Sequence, residues 1–285
     1  MKIYELKYSN TNTYLIAGDT GILLFDTGWA GNFPAFCGCM GELGIPVQDI
    51  SYIVISHFHP DHMGIAQEIA DLGARIVVTD VQQAYIHAAD GVFEKEDGHG
   101  FKPVRDEDVI LLGVSESRAF LEKLGLNGEI IHTPGHSDDS ISLWLDSGEL
   151  FVGDLNPLYE LELHKGTQTE ESWNRLLALG PATVYYGHAK KADLNTDTVS
   201  TDDAGTEAVS EADTGAEAVA RNVAGDRYDL VSKIMRLIDK GVSQDRIQKK
   251  TGADRNFIED VTRMYLTHRN VGVQGILDRI EIKGR

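Results

Sequence analysis

Two cysteines in 285 residues are too few for a disulfide framework or a thiolate metal cage. Cys37 and Cys39, one glycine apart, are also too close for an ordinary structural disulfide, so they read as free thiols of a reducing compartment. No apolar run reaches about 18 residues, which leaves no candidate for a membrane-spanning helix. Positive charge is scarce: 26 Lys and Arg stand against 45 Asp and Glu, a net −19 that repels phosphate backbones. The opening Met1-Lys2-Ile3-Tyr4-Glu5 reads as a strand and lacks the apolar core of a signal peptide, so a cytoplasmic protein is expected. Neither G-x-S-x-G nor a Walker phosphate loop occurs, so a serine nucleophile on such an elbow and P-loop chemistry are not expected. The 42% apolar content suffices for one large core and a small appendage.

Against these absences stands Ser56-His57-Phe58-His59-Pro60-Asp61-His62-Met63-Gly64. Four metal-capable side chains, His57, His59, Asp61 and His62, fall within six positions directly after the apolar run Ile53-Val54-Ile55. Such a run reads as a buried strand whose tip delivers ligands into a loop. The pattern Ile65, Ile69, Leu72 then places His62 in the first turn of a helix. Imidazole with carboxylate suits a borderline divalent ion such as zinc, manganese or iron(II).

Three later segments repeat this logic. His136 lies in Thr133-Pro134-Gly135-His136-Ser137, Asp154 in Phe151-Val152-Gly153-Asp154, and His188 in Val184-Tyr185-Tyr186-Gly187-His188. In each, a strand supplies rigidity, a glycine lets the backbone turn, and a ligand-type side chain projects from the sheet edge.

Together these elements resemble the metallo-β-lactamase superfamily of hydrolases, with its H-x-H-x-D-H motif and a His, an Asp and a His on later strands. The resemblance covers roughly residues 1–191 and implies an α/β (α+β) fold, the αββα sandwich. It implies that His57, His59 and His136 hold one metal, that Asp61, His62 and His188 hold a second, and that Asp154 bridges them. The cofactor it implies is two divalent ions, zinc first, with manganese or iron(II) as alternatives. Asp26, in Leu23-Leu24-Phe25-Asp26-Thr27-Gly28, matches the family's early strand, where the Asp orients a ligand by hydrogen bonding.

Two bridged divalent ions bring the pKa of a shared water to about 7, and Asp61 or Asp154 then accepts its proton as it attacks. This implies a hydrolase for a thioester, ester or lactone of a small molecule. Only 34 residues separate Asp154 from His188, which leaves no room for the large insertion of the nuclease branches. Lactonase relatives place a Tyr three residues beyond the bridging Asp. Here that position is Pro157, and Tyr159 is the nearest phenol for an oxyanion. Alternatives are a mononuclear iron persulfide dioxygenase and a metal-domain sensor with DNA-binding C-terminal helices. Phe93, His99, Phe101, Lys102 and Arg105 mark a charged loop that would shape substrate choice over the metals.

Residues 192–225 are acidic and nearly repetitive, and read as a linker, mostly disordered. From 226 to 285 the pattern turns helical: Leu230, Ile234, Leu237 and Ile238, then Ser243 as an N-cap, Gly252 as a stop, and Asp254 capping a longer helix. This is a helix-turn-helix outline. With modest positive charge it suits packing on the catalytic domain, covering the site or pairing as a homodimer better than binding nucleic acid. The expected partner is a small-molecule substrate.

Overall fold

The computed structural model describes residues 1–91, 100–194 and 227–267, with 273, 276 and 277 beyond them. The chain divides into two compact units, 1–194 and 195–285.

Unit 1 is built on two sheets. The first runs in sequence order, β1 (Lys2–Leu6), β2 (Thr13–Ala17), β3 (Ile22–Phe25), β4 (Ile50–Val54), β5 (Arg75–Thr79) and β6 (Val109–Leu112). Its first three strands pair antiparallel and the rest parallel. The second sheet has the order β11 (Ala192–Asp193), β10 (Thr183–Tyr185), β9 (Glu149–Phe151), β8 (Ile141–Leu145), β7 (Gly128–His132).

Side-chain alternation along these strands sorts the apolar residues into layers. Ile16, Leu23, Phe25, Val54 and Val77 of the first sheet share a core with Ile130, Ile141, Leu143 and Phe151 of the second. The opposite face of the first sheet (Leu15, Leu24, Ile53, Ile76) is covered by Phe36 and Met40 of the helix Phe33–Leu43 and by Ile69. The opposite face of the second (Trp144, Leu150, Val184) is covered by Trp173 and Leu176 of the helix Gln168–Leu177. Helix, sheet, sheet, helix is the expected sandwich.

Several elements differ from expectation. The helix expected at 62–72 is two short ones, Pro60–Met63 and Ala66–Ala70. Between them Gly64 approaches the 28–30 loop so closely that a Cβ would lie 2.1 Å from Ala30 N. Residues 80–89, which read as a helix in the sequence, form only a 3-10 turn at Gln83–Tyr85. There the buried Gln82 amide accepts from Thr79 N and Oγ1 and donates to Ile55 O at 2.8 Å, which ties the chain to the end of β4 in place of a helical turn. The helix Phe33–Leu43 and strand β6 had no counterpart in the periodicity.

In unit 2, helices run over 227–238, Gln244–Thr251 and Arg255–Thr267. Ser243 Oγ accepts from Arg246 N at 3.3 Å, Gly252 ends its helix at φ +71°, and Asp254 Oδ1 accepts from Asn256 N at 2.9 Å. Val231, Ile234, Ile247, Ile258, Val261 and Met264 form its core. On the helix Arg255–Thr267 Asn256 is exposed and Arg263 buried. Of the expected linker, Ala192 and Asp193 form β11 in unit 1, and 195–225 lie outside the described residues. Among the described residues no helix is long and apolar enough to cross a membrane.

Candidate metal centre

Where strands β4, β7, β9 and β10 end, four loops converge. His57, His59, Asp61 and His62 follow β4, His136 follows β7, Asp154 follows β9 and His188 follows β10. Their donor atoms form two groups, His57–His59–His136 and Asp61–His62–Asp154–His188, each with all atoms within 4.8 Å of one another.

In the first group His59 Nδ1 lies 3.0 Å from His57 Nε2 and 3.1 Å from His136 Nε2. In the second, Asp61 Oδ2 is 3.0 Å from His188 Nε2 and 3.7 Å from His62 Nε2. Asp154 stands between them. Its Oδ2 is 3.7 Å from His136 Nε2, while Oδ1 is 3.3 Å from His62 Nε2 and 3.4 Å from His188 Nε2.

The residues behind these donors decide which nitrogen faces inward. Asp26 is fully buried. It accepts from Ser56 N at 2.7 Å and Ser56 Oγ at 2.8 Å, and lies 2.8 Å from His62 Nδ1. An ionised carboxylate only accepts, so His62 carries its proton on Nδ1 and turns Nε2 to the centre. By the same reasoning the Ser56 hydroxyl spends its proton on Asp26 and accepts from His57 Nδ1, 3.0 Å away. His188 Nδ1 donates to Asn10 O at 2.9 Å. The ligand loop itself is held by Thr11 Oγ1 donating to Asp61 O at 2.8 Å and Thr27 N donating to His62 O at 2.7 Å.

Two glycines make room. A Cβ on Gly153 (φ +55°) would fall 2.4 Å from Ser56 Oγ, and one on Gly187 2.7 Å from Asp154 Oδ1. The sequence marked both glycines as turn formers, and the structure shows that Gly153 also clears space for Ser56 and Gly187 for Asp154 and His62.

Burial, reinforced by the neighbouring imidazoles, holds His57 well below the ordinary imidazole range, and burial lowers His59 too. Burial raises Asp154 and Asp61, but His188 and His62 outweigh it, and both carboxyls are held below their usual range. Burial also opposes the charge of His62, yet Asp26, Asp154 and Asp61 together lift it well above the usual value. The result is ionised carboxylates facing imidazoles in a buried pocket. Three imidazole nitrogens about one hydrogen bond apart cannot all carry protons inward, and the buried His62 Nε2 faces the carboxylates of Asp154 and Asp61 at 3.3 and 3.7 Å. Tetrahedral nitrogen ligands of zinc stand about 3.3 Å apart when each bond is near 2.0–2.1 Å, close to the spacings here. The donor set fits two divalent cations.

The structure brings together all seven residues that the motif reading selected, with Asp26 behind them. It does not bring in Tyr159, which sits on the 3-10 segment Leu158–His164 with 72% of its surface exposed. In the loop expected over the metals, Lys102 and Arg105 bind Asp71 at 2.5 and 2.8 Å, and Phe101 packs against the outer core. Phe93 and His99 lie outside the described residues. Sequence reasoning missed Ser56 and Asn10; the position of Ser56 beside His57 was its only signal.

Residues 7–188 match the family described as Metallo-beta-lactamase superfamily. A beta-lactamase-like protein 2 homolog of Drosophila melanogaster is 27% identical over 186 residues, 62% of this chain and 58% of the relative. An atrochrysone carboxyl ACP thioesterase of Aspergillus aculeatus is 25% identical over 198 residues, 65% of this chain and 53% of that protein. The chain thus spans little more than half the length of these two relatives. A metallo-beta-lactamase family protein from Thermus thermophilus superposes with a TM-score of 0.52 at 19% identity, covering 99% of this chain and 94% of that one.

Proposed function

The chain belongs to the metallo-beta-lactamase superfamily of metal-dependent hydrolases, and from that premise we propose a dinuclear hydrolase that cleaves a thioester, ester or lactone of a small molecule. The observation that carries this reading is the placement of Asp154, with one carboxylate oxygen turned to each half of the donor cluster. His57, His59 and His136 would hold one cation, and Asp61, His62 and His188 the other, with Asp154 shared. Zinc fits this set of imidazole and carboxylate donors, as do manganese and iron(II). The likeness to an acyl-carrier thioesterase favours thioesters as the first substrates to try.

When bound, the two cations would supply Lewis acidity toward the substrate oxygen and a water acidic enough to attack near neutral pH. The remaining work belongs to the chain. Asp26, Ser56 and Asn10 fix the imidazole tautomers, so the cluster needs little reorganisation when the substrate arrives. Asp61, ionised and buried, accepts the proton of the attacking water and returns it to the leaving thiolate or alkoxide. This step makes no use of Tyr159, which is 72% exposed.

The test is metal content by ICP-MS for wild type and His188→Ala, with thioester and lactone hydrolysis alongside. Two zinc or manganese ions per chain, falling toward one in the variant, support the dinuclear hydrolase. One iron per chain, unaffected by the substitution, overturns it and points to oxygen chemistry.

A further inference from the structure

A buried carboxylate outside the seven-residue donor set stands against the three-histidine half of the centre. Asp139 is 3% exposed, and its Oδ2 accepts the amide proton of Phe58 at 2.7 Å. Among the described residues that is its only side-chain hydrogen bond, and it forms no ion pair. Phe58 lies between His57 and His59, and Asp139 lies three residues after His136. One hydrogen bond therefore joins the two loops that supply all three imidazoles. The loop carrying Asp139 is closed on itself: Thr133 N donates to Ser140 O at 2.8 Å, and the Ser137 and Ser140 hydroxyls meet at 2.7 Å. Ile141 N, donating to Ser56 O at 2.8 Å, ties the same two segments.

A carboxylate buried on one amide, with no cation beside it, is expensive to keep. The two halves of the centre also differ in charge. Asp61 serves the half with His62 and His188, whereas the half with His57, His59 and His136 brings three neutral imidazoles and only a share of Asp154. We propose that Asp139 is a positioning residue for that half, holding the two histidine loops together and supplying the counter-charge for the cation they bind. This rests on the two-cation reading above.

The test isolates each half. In a His188→Ala background the three-histidine half is titrated with zinc against a chromophoric chelator, with and without Asp139→Asn. In a His59→Ala background the other half is titrated in the same way. Asn keeps an oxygen for the Phe58 amide and removes only the charge. The expected result is about 10–100-fold weaker zinc binding in the first background and a change below about twofold in the second, with the metal-free melting temperature preserved. Unchanged affinity in the first background overturns the proposal, even if the metal-free protein melts earlier, because the residue is then merely structural. Equal losses in both backgrounds overturn it as well. If His188→Ala alone binds no zinc, the two-cation reading itself has failed, and this shows before Asp139 is altered.

Discussion

Nδ1 of His62 lies 2.8 Å from Oδ2 of Asp26, with both side chains shut away from solvent. Asp26 is also the one residue other than glycine, among those described, with a positive φ, +62°. Aspartate tolerates that left-handed conformation at a cost of about 1 kcal/mol. The geometry persists because it aims one carboxylate at three donors, the amide and hydroxyl of Ser56 and the imidazole of His62. Through Ser56 it also reaches His57, so one carboxylate sets the inward nitrogen in both halves of the centre.

Asp26→Asn is therefore expected to act through tautomers more than through folding. Asparagine is comfortable at positive φ and keeps one oxygen for the Ser56 amide. Its NH2 group then faces His62 Nδ1 and donates to it, which drives the proton to Nε2, where the cation must bind. Metal affinity of the half containing His62 is expected to fall about 10–100-fold. Long-range nitrogen NMR of His62 should show the exchanged tautomer. A variant that keeps the Nδ1–H form and wild-type metal content defeats this account.

Gly187→Ala is expected to damage the site at small cost to the fold. Its added methyl would lie 2.7 Å from Asp154 Oδ1 and 2.9 Å from His62 Cε1, pushing apart residues of the shared position. Metal content per chain should drop while the circular dichroism stays native. Gly38→Ala is the contrasting change. Gly38 lies mid-helix in Phe33–Leu43 with nothing within 4 Å of the methyl that alanine would add, and Ala there should add about 0.5–1 kcal/mol of stability. If Gly187→Ala retains full metal content, the glycine is not there to clear space for the ligands.

What was legible in the sequence follows from range. His57, His59, Asp61 and His62 declare themselves because the motif is local, and β-branched runs such as Ile53-Val54-Ile55 announce strands through burial on both faces. Asp26 was legible only by likeness to a family strand. Asp139 was not legible at all, since its partner Phe58 is 81 positions away and a lone Asp in a loop reads as solvated. The helix Phe33–Leu43 hid behind a proline and two glycines, and gains its place from Phe36 and Met40 packing on the sheet. Gln82 replaced an expected helix with side-chain bonds to strand ends, a tertiary choice that periodicity does not carry.

His87 gives a pH-dependent contact away from the centre. Its Nδ1 lies 2.9 Å from Asp90 and its Nε2 3.2 Å from Asp106. Desolvation lowers its pKa, but the hydrogen bonds to Asp106 and Asp90 outweigh this, and the net shift is upward. A folded-state pKa above the unfolded value means the contact stabilises fully below about pH 6.5, and that contribution fades as pH rises through the folded value. The His87 ring-proton NMR titration should therefore have its midpoint above that of a free imidazole, and Asp106→Asn should bring it down. A midpoint unchanged by Asp106→Asn removes the carboxylate as its cause.

Metal removal tests the centre through stability rather than turnover. A folded cluster that presents ionised Asp61 and Asp154 with converging imidazoles binds cations far better than an unfolded chain, so zinc must stabilise the native state by mass action. At free zinc about 100 times the dissociation constant, one site contributes about 2.7 kcal/mol. For a unit of nearly 200 residues each kcal/mol raises the melting temperature by about 2–4 °C. Chelator-treated protein is thus expected to melt about 5–10 °C below protein supplied with zinc for each site filled. His188→Ala should recover only part of that rise, and His188→Ala combined with His59→Ala almost none. A melting temperature indifferent to zinc in the wild type means that these seven side chains, however well they converge, do not hold the ion in the folded protein.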